Sequence, residues 1–326
     1  MTNWLQMITI HIVVLLLCRV LGIILRKFEI GSTIISIVNK WMWRLLIIGI
    51  VANAVGTFIN ITGISYLRWL ETAPYVMFLR VSIIAILQSL VMGGMGMIVP
   101  YFRNNFKLPS KENYVLKGNY ILPFTGKWTV VNGGLTKKLS HSWGIVPQRY
   151  AYDFIIVDDE GKSSSGDRRS LNSYCYDKDI IAPADGKVVA LRDRCKDSFV
   201  DGKNAYCDAS HIAGNYIVIK HNDSEYSTIA HFIPGSLKVK KGDVVKQGQV
   251  IGKCGNSGNS SEPHIHFQLQ SGKSFFLSAG LPIAFTDIET QQKENYSVLD
   301  KRPCNDNLQA EGSKSYIARG LEVQNK

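Results

Sequence analysis

The first hundred residues constrain this chain more than any other feature. They hold three apolar runs, approximately Leu5–Leu25, Leu45–Leu67 and Val76–Val99. Each is close to the roughly 20 residues that a helix needs to cross a hydrocarbon layer. Arg19 interrupts the first run, and Arg80 lies near the start of the third, where its long side chain can reach an interface. The N-terminus lacks the basic stretch of a cleavable signal peptide, and two further runs follow the first. A membrane-anchoring helical region is therefore expected over residues 1–103, with two or three spanning helices. Tyr101, Phe102, Arg103, Phe106 and Lys107 form an aromatic and basic belt behind the last run. Membrane lipid is one expected partner.

Topology is ambiguous. Arg26, Lys27, Lys40 and Arg44 flank the first connection, which the positive-inside rule assigns to the cytoplasm. Three spans would then leave the C-terminal part in the cytoplasm too, whereas two would place it outside. The formal charge of +11 is shared by both halves. It suits an anionic surface, whether phospholipid headgroups or a polyanionic wall, and is also what solubility and membrane flanks alone would produce.

Past residue 100 the pattern is that of a β-rich soluble domain. Residues 104–120 read as a linker, 121–300 as the domain and 301–326 as a weakly patterned tail. Short alternating runs lie between turn signals: Trp128–Val131, Tyr152–Val157, Gly186–Leu191, Asn215–Lys220, Tyr226–His231, Val244–Cys254 and His264–Leu269. No run of ten or more residues has a 3.6-residue period. Asp158–Asp177 is polar and serine-rich, as a surface loop would be. Cys175, Cys195, Cys207, Cys254 and Cys304 fall in this half, with no C-x-x-C pair. Cys195 and Cys207 bracket a polar segment that a disulfide would close in an oxidising compartment. Five being odd, at least one thiol stays free or pairs between chains.

Pro263-His264-Ile265-His266-Phe267 carries the clearest chemistry. Period-two geometry aims both imidazoles at one sheet face, behind the Gly- and Ser-rich approach Cys254–Ser261. Such a pair suits a metal ligand beside a proton-transfer residue. In isolation, an H-x-H is more often two surface or packed histidines.

The remaining motifs weigh against that plainer reading. They are Ile181-Ala182-Pro183-Ala184-Asp185-Gly186, Gly214–His221, Ala230-His231-Phe232, Val239–Gly252 and Gly255-Asn256-Ser257-Gly258. In this order, over roughly residues 120–290, the chain resembles the lysostaphin/LytM-type zinc metallopeptidases, the peptidoglycan endopeptidases of bacterial cell walls. The resemblance implies a mainly-β fold, an antiparallel sheet or β-sandwich. It also implies one Zn2+ per chain, with Asp153 and His266 as ligands and His231 and His264 as the catalytic pair. The substrate implied is a peptidoglycan peptide, cut by a domain outside the cytoplasmic membrane.

One position departs from the family pattern. The usual H-x-x-x-D places a histidine four residues before the aspartate, and here that residue is Arg149. A guanidinium stays protonated and has no lone pair for a metal. A variant branch with Q-R-Y-A-x-D-F and a histidine further upstream is the better match, which makes His141 the expected third ligand. His221, at a strand end, is the fallback, and His211 lies in the cysteine-flanked loop.

Two function classes remain. The first is a membrane-anchored zinc endopeptidase acting on peptidoglycan stems or cross-bridges. The second is an inactive LytM-like domain that binds peptidoglycan or regulates a partner hydrolase, for which Arg149 is the argument. A lipoyl-type carrier reading of Val239–Gly252 fails for want of a turn lysine in the usual Met-Lys setting. H-E-x-x-H is absent, and no nucleic-acid-binding motif accompanies the charge. The pattern leaves the oligomeric state undefined.

Overall fold

The structure is a computed structural model that describes residues 96–166, 172–201, 204–206, 212–302, 304, 309–311 and 314–326. The first two apolar runs and most of the third lie outside the described residues, as do His211 and Cys207. Among the described residues no helix is long and apolar enough to cross a membrane. The chain divides into two compact units, Met1–Ile98 and Val99–Lys326, and the second is the β-rich domain.

Among the described residues, sixteen strands carry this domain: β1 (Trp128–Asn132), β2 (Tyr152–Ile155), β3 (Asp179–Ile181), β4 (Gly186–Arg192), β5 (Phe199–Asp201), β6 (Asn204–Tyr206), β7 (Tyr216–Lys220) and β8 (Tyr226–Ala230), then β9 (Val244–Val245), β10 (Val250–Lys253), β11 (Ile265–Gln270), β12 (Phe285–Thr286), β13 (Ile288–Gln292), β14 (Gln309–Glu311), β15 (Lys314–Tyr316) and β16 (Leu321–Asn325). Helices are short: α1 (Gly96–Arg103) and α2 (Tyr296–Leu299). Nine strands form one sheet in the order β13-β16-β1-β2-β11-β8-β7-β4-β9, all antiparallel. The expected mainly-β antiparallel class is what the described residues adopt.

Two expectations change in detail. The run Val244–Cys254 divides into β9 and β10, because Lys246–Gln249 turns between them with Gly248 at φ 81°. That left-handed conformation suits glycine. Residues 301–326, expected as a tail, supply β16, which sits between β13 and β1. Asn325 secures it by accepting from the Leu122 N–H at 2.9 Å and donating to the Leu122 and Phe124 carbonyls.

Core packing explains why the centre of the sheet is rigid. Phe124 stacks on Trp128 at 4.6 Å and meets Phe154 edge-on at 4.9 Å. Ile265, Phe267 and Leu269 of β11 join the same cluster. Burying a side chain of this size contributes about 1.5–3 kcal/mol. The central strands β2, β11 and β8 are therefore held on their apolar face, and their other face is free to carry polar groups.

Candidate active site

Strand register builds the site. β2 and β11 run antiparallel with His266 directly opposite Asp153, and β8 flanks β11 with Ala230 opposite His266. Cross-strand neighbours lie within about 4.5–5.5 Å, so the Asp153 carboxylate and the His266 ring meet. Asp153 Oδ1 and His266 Nδ1 are 2.9 Å apart. Two residues back on the same face, His264 Nε2 lies 3.8 Å from the same oxygen. His141 Nδ1 lies 3.8 Å from Asp153 Oδ2. His231 follows β8, its ring centroid 4.5 Å from that of His264 and 6.0 Å from that of His266. All five residues singled out in the sequence fall in this cluster.

The loop before β2 explains how His141 arrives there. Val146–Gln148 forms a single 3-10 turn with Pro147 near its start, and Arg149 closes it. The His141 backbone N–H donates to Asn132 Oδ1 at 2.8 Å, and Asn132 lies opposite Asp153 across a bulge in the β1–β2 pairing. Arg149 is used differently. Its guanidinium lies over the Trp143 ring at 5.3 Å, and it donates to the Trp143 carbonyl at 3.4 Å and the Tyr101 hydroxyl at 3.5 Å. None of these contacts involves Asp153.

Backbone carbonyls set the two flanking imidazoles. His231 Nδ1 is 2.7 Å from the Ser257 carbonyl, and His264 Nδ1 is 2.8 Å from the Glu262 carbonyl. A carbonyl only accepts, so each Nδ1 carries the proton and each Nε2 keeps its lone pair for the site. Burial, then the neighbouring His264 and His266 charges, hold His231 well below the usual imidazole range. It is neutral at physiological pH. His231 also adopts φ 71°, a backbone state uncommon outside glycine and concentrated at functional sites.

Asp153 and His266 behave as an ion pair. Burial pushes the Asp153 carboxyl up, but the His266 hydrogen bond and the three surrounding imidazoles outweigh it and hold the group well below the carboxylate range. For His266 burial acts downward, and the Asp153 hydrogen bond reverses it and raises the ring.

The donor chemistry, two imidazoles and a carboxylate, is of the kind zinc takes. Tetrahedral zinc with nitrogen and oxygen donors at 2.0–2.2 Å sets donor atoms about 3.3–3.5 Å apart. The His266–Asp153 separation of 2.9 Å is shorter than that, and the His141–Asp153 separation of 3.8 Å is longer. Among the described residues no three such side chains stand in finished metal-holding positions. The two carboxylate oxygens face one imidazole nitrogen each, Oδ1 toward His266 and Oδ2 toward His141.

Sequence reading missed several supports of this cluster: Asn132 behind His141, Ser257 behind His231, and Gln268 and Gln270 behind His266. His221, the fallback ligand, belongs elsewhere. Its Nδ1 meets the Asp185 carbonyl and its Nε2 the Ser227 hydroxyl, both at 2.8 Å. Cys195 is buried; Cys207, its expected bridge partner, lies outside the described residues.

Residues 173–276 match the model of peptidase family M23. The chain carries an M23 peptidase domain. The matched stretch contains His231, His264 and His266 and begins after Asp153. Among curated proteins, the peptidoglycan DD-endopeptidase ShyB of Vibrio cholerae is 32% identical over 119 residues, 36% of this chain and 24% of that protein. The murein hydrolase activator NlpD of Escherichia coli is 32% identical over 120 residues, 36% of this chain and 27% of that protein. The matches thus span about a quarter of these relatives' length. Among solved structures, the catalytic domain of the prophage-encoded M23 protein EnpA from Enterococcus faecalis is 19% identical, covering 50% of this chain and 95% of that one, with a TM-score of 0.32.

Proposed function

We propose that this chain is a membrane-anchored zinc endopeptidase that hydrolyses peptide bonds in peptidoglycan, with its M23 domain on the outer side of the cytoplasmic membrane. The observation that carries this reading is the convergence of His141, His264 and His266 on the Asp153 carboxylate. His141, Asp153 and His266 would hold the zinc. Bound there, zinc supplies a Lewis acid and a water whose pKa is brought to about 7.

The protein's own residues divide the remaining work. His231 is neutral, with its Nε2 lone pair turned to the site, and serves as the proton acceptor. It later returns that proton to the leaving amine. His264, beside His231, presents Nε2 toward Asp153 and as an N–H donor there would stabilise the oxyanion of the tetrahedral intermediate. Ser257 and Glu262 hold the two rings in place through their carbonyls.

The ShyB relative supports peptidoglycan peptide as substrate. The NlpD relative, together with the finding that among the described residues no three donors stand in metal-holding positions, favours a second reading in which the domain activates a partner hydrolase. Zinc content and peptide release from purified sacculi separate the two. Release by the zinc-loaded full-length chain, abolished by chelation and restored by zinc, is the expected result. A zinc-loaded chain that releases nothing by itself would overturn the endopeptidase reading in favour of the activator.

A further inference from the structure

Gln268 and Gln270 continue the H-x-H row at period two, and both are buried, 1% and 0% exposed. They share a strand face with His264 and His266, while Ile265, Phe267 and Leu269 fill the core on the other. A buried amide costs about 1–3 kcal/mol unless its groups are partnered. A strand that buries two of them in succession holds them for a reason other than packing.

Their partners form a chain. His266 Nε2 is 2.9 Å from Gln268 Oε1, Gln268 Nε2 donates to Gln270 Oε1 at 2.6 Å, and Gln270 Nε2 donates to the Gly272 carbonyl at 2.7 Å. Its far end fixes its direction. The Gly272 carbonyl can only accept, so Gln270 turns its NH2 toward it and its oxygen toward Gln268. Gln268 in turn offers NH2 to Gln270 and oxygen to His266. His266 Nε2 must then carry a proton, and Nδ1, 2.9 Å from Asp153 Oδ1, is the nitrogen left for a cation.

We infer that Gln268 and Gln270 are positioning residues, an amide relay that sets the His266 tautomer so that Nδ1 is the metal-binding atom. This rests on the zinc reading of the site. Hydrogen-bond partners behind a ligating histidine fix its ring orientation and raise its basicity, and losing them typically costs 10–100-fold in metal affinity.

The test measures zinc affinity of the full-length chain by competition with a chromophoric chelator. Gln268→Leu removes the acceptor and should weaken binding about 10–100-fold. Gln268→Glu keeps an acceptor for Nε2–H but loses the donor to Gln270 Oε1, so it should weaken binding less than Gln268→Leu does, an ordering that a purely structural role would not produce. Gln270→Leu leaves the acceptor in place but unorients it, with an intermediate loss expected; it carries the test if Gln268→Leu does not fold. Unchanged affinity in a folded Gln268→Leu or Gln270→Leu chain would overturn the relay, as would a Gln268→Glu chain as weak as Gln268→Leu. A wild-type chain that takes up no zinc would instead overturn the metal-site reading, and the relay with it.

Discussion

The backbone N–H of His141 is tied to the side chain of Asn132 at 2.8 Å, and Asn132 sits opposite Asp153 in the sheet. A loop histidine is thereby registered against a strand carboxylate without the four-residue spacing that Arg149 has taken from the family pattern. The position of His141 rests on this tie and on the facing Asp153 carboxylate, its side chain being 57% exposed. His141→Ala is expected to lose zinc, and Asn132→Ala to weaken it by about tenfold, the lower end for a supporting contact. Asn132→Asp keeps the acceptor and should bind nearly as wild type. Zinc retained at full affinity in His141→Ala would remove His141 from the ligand set.

Ligands and proton-transfer groups should separate cleanly under mutation. Asp153→Ala and His266→Ala each remove a donor and should leave the purified chain without zinc. His231→Ala and His264→Ala should keep the metal while peptide release from sacculi falls about 10²–10⁴-fold, the range for a general acid or base. Elemental analysis of the same preparations used for turnover checks both halves. Wild-type turnover in His231→Ala or His264→Ala would contradict the assigned roles.

A buried carboxylate far from the site governs acid stability. Glu225 is 0% exposed and accepts from the Lys117 and Gly118 N–H groups, the Tyr114 and Tyr120 hydroxyls and the Asn222 amide. Burial raises its pKa, but these donors outweigh burial and leave it below its ordinary value of 4.5. A depressed carboxylate stabilises the fold above its unfolded pKa, and that contribution is lost as pH falls through the folded value. Glu225→Ala leaves several buried donors unpaired, so a loss of about 3 kcal/mol or more is expected. Urea midpoints followed by tryptophan fluorescence at pH 7 and pH 4 would show it. The wild type should weaken toward pH 4 more steeply than the variant, and parallel profiles would count against the assignment.

Much of this architecture is visible in the residues, for a physical reason. A strand with one apolar face alternates, as β11 does with Ile265, Phe267 and Leu269 against His266, Gln268 and Gln270, while β7 shows itself as an unbroken apolar run, Tyr216–Ile219. His264 and His266 announce themselves by the same rule. The rule also extends to Gln268 and Gln270, but amides on a strand ordinarily mean a solvated face, and only the packing shows them buried. β16 escaped notice because Leu321–Asn325 is short and gains its order from Asn325 and from neighbours far away in the chain. His141 is the reverse case: a resemblance pointed to it, while its placement depends on Asn132, whose role no spacing reveals. The family match begins at residue 173, past both His141 and Asp153.

The last prediction concerns a glycine that touches no site residue. Gly214 adopts φ +55°, and a Cβ placed there would stand 2.2 Å from the Ser257 carbonyl oxygen. That oxygen accepts from His231 Nδ1 at 2.7 Å. An alanine must therefore push the carbonyl away, and the His231 ring loses the contact that fixes its tautomer and direction. Gly214→Ala is expected to retain zinc, since the ligands are not disturbed, to lose about 1 kcal/mol or more of stability from the left-handed backbone, and to lose turnover at least tenfold. If the defect passes through His231, adding Gly214→Ala to His231→Ala should reduce turnover little further, because coupled positions are not additive. Independent, multiplying losses would mean that Gly214 acts on the site by another route.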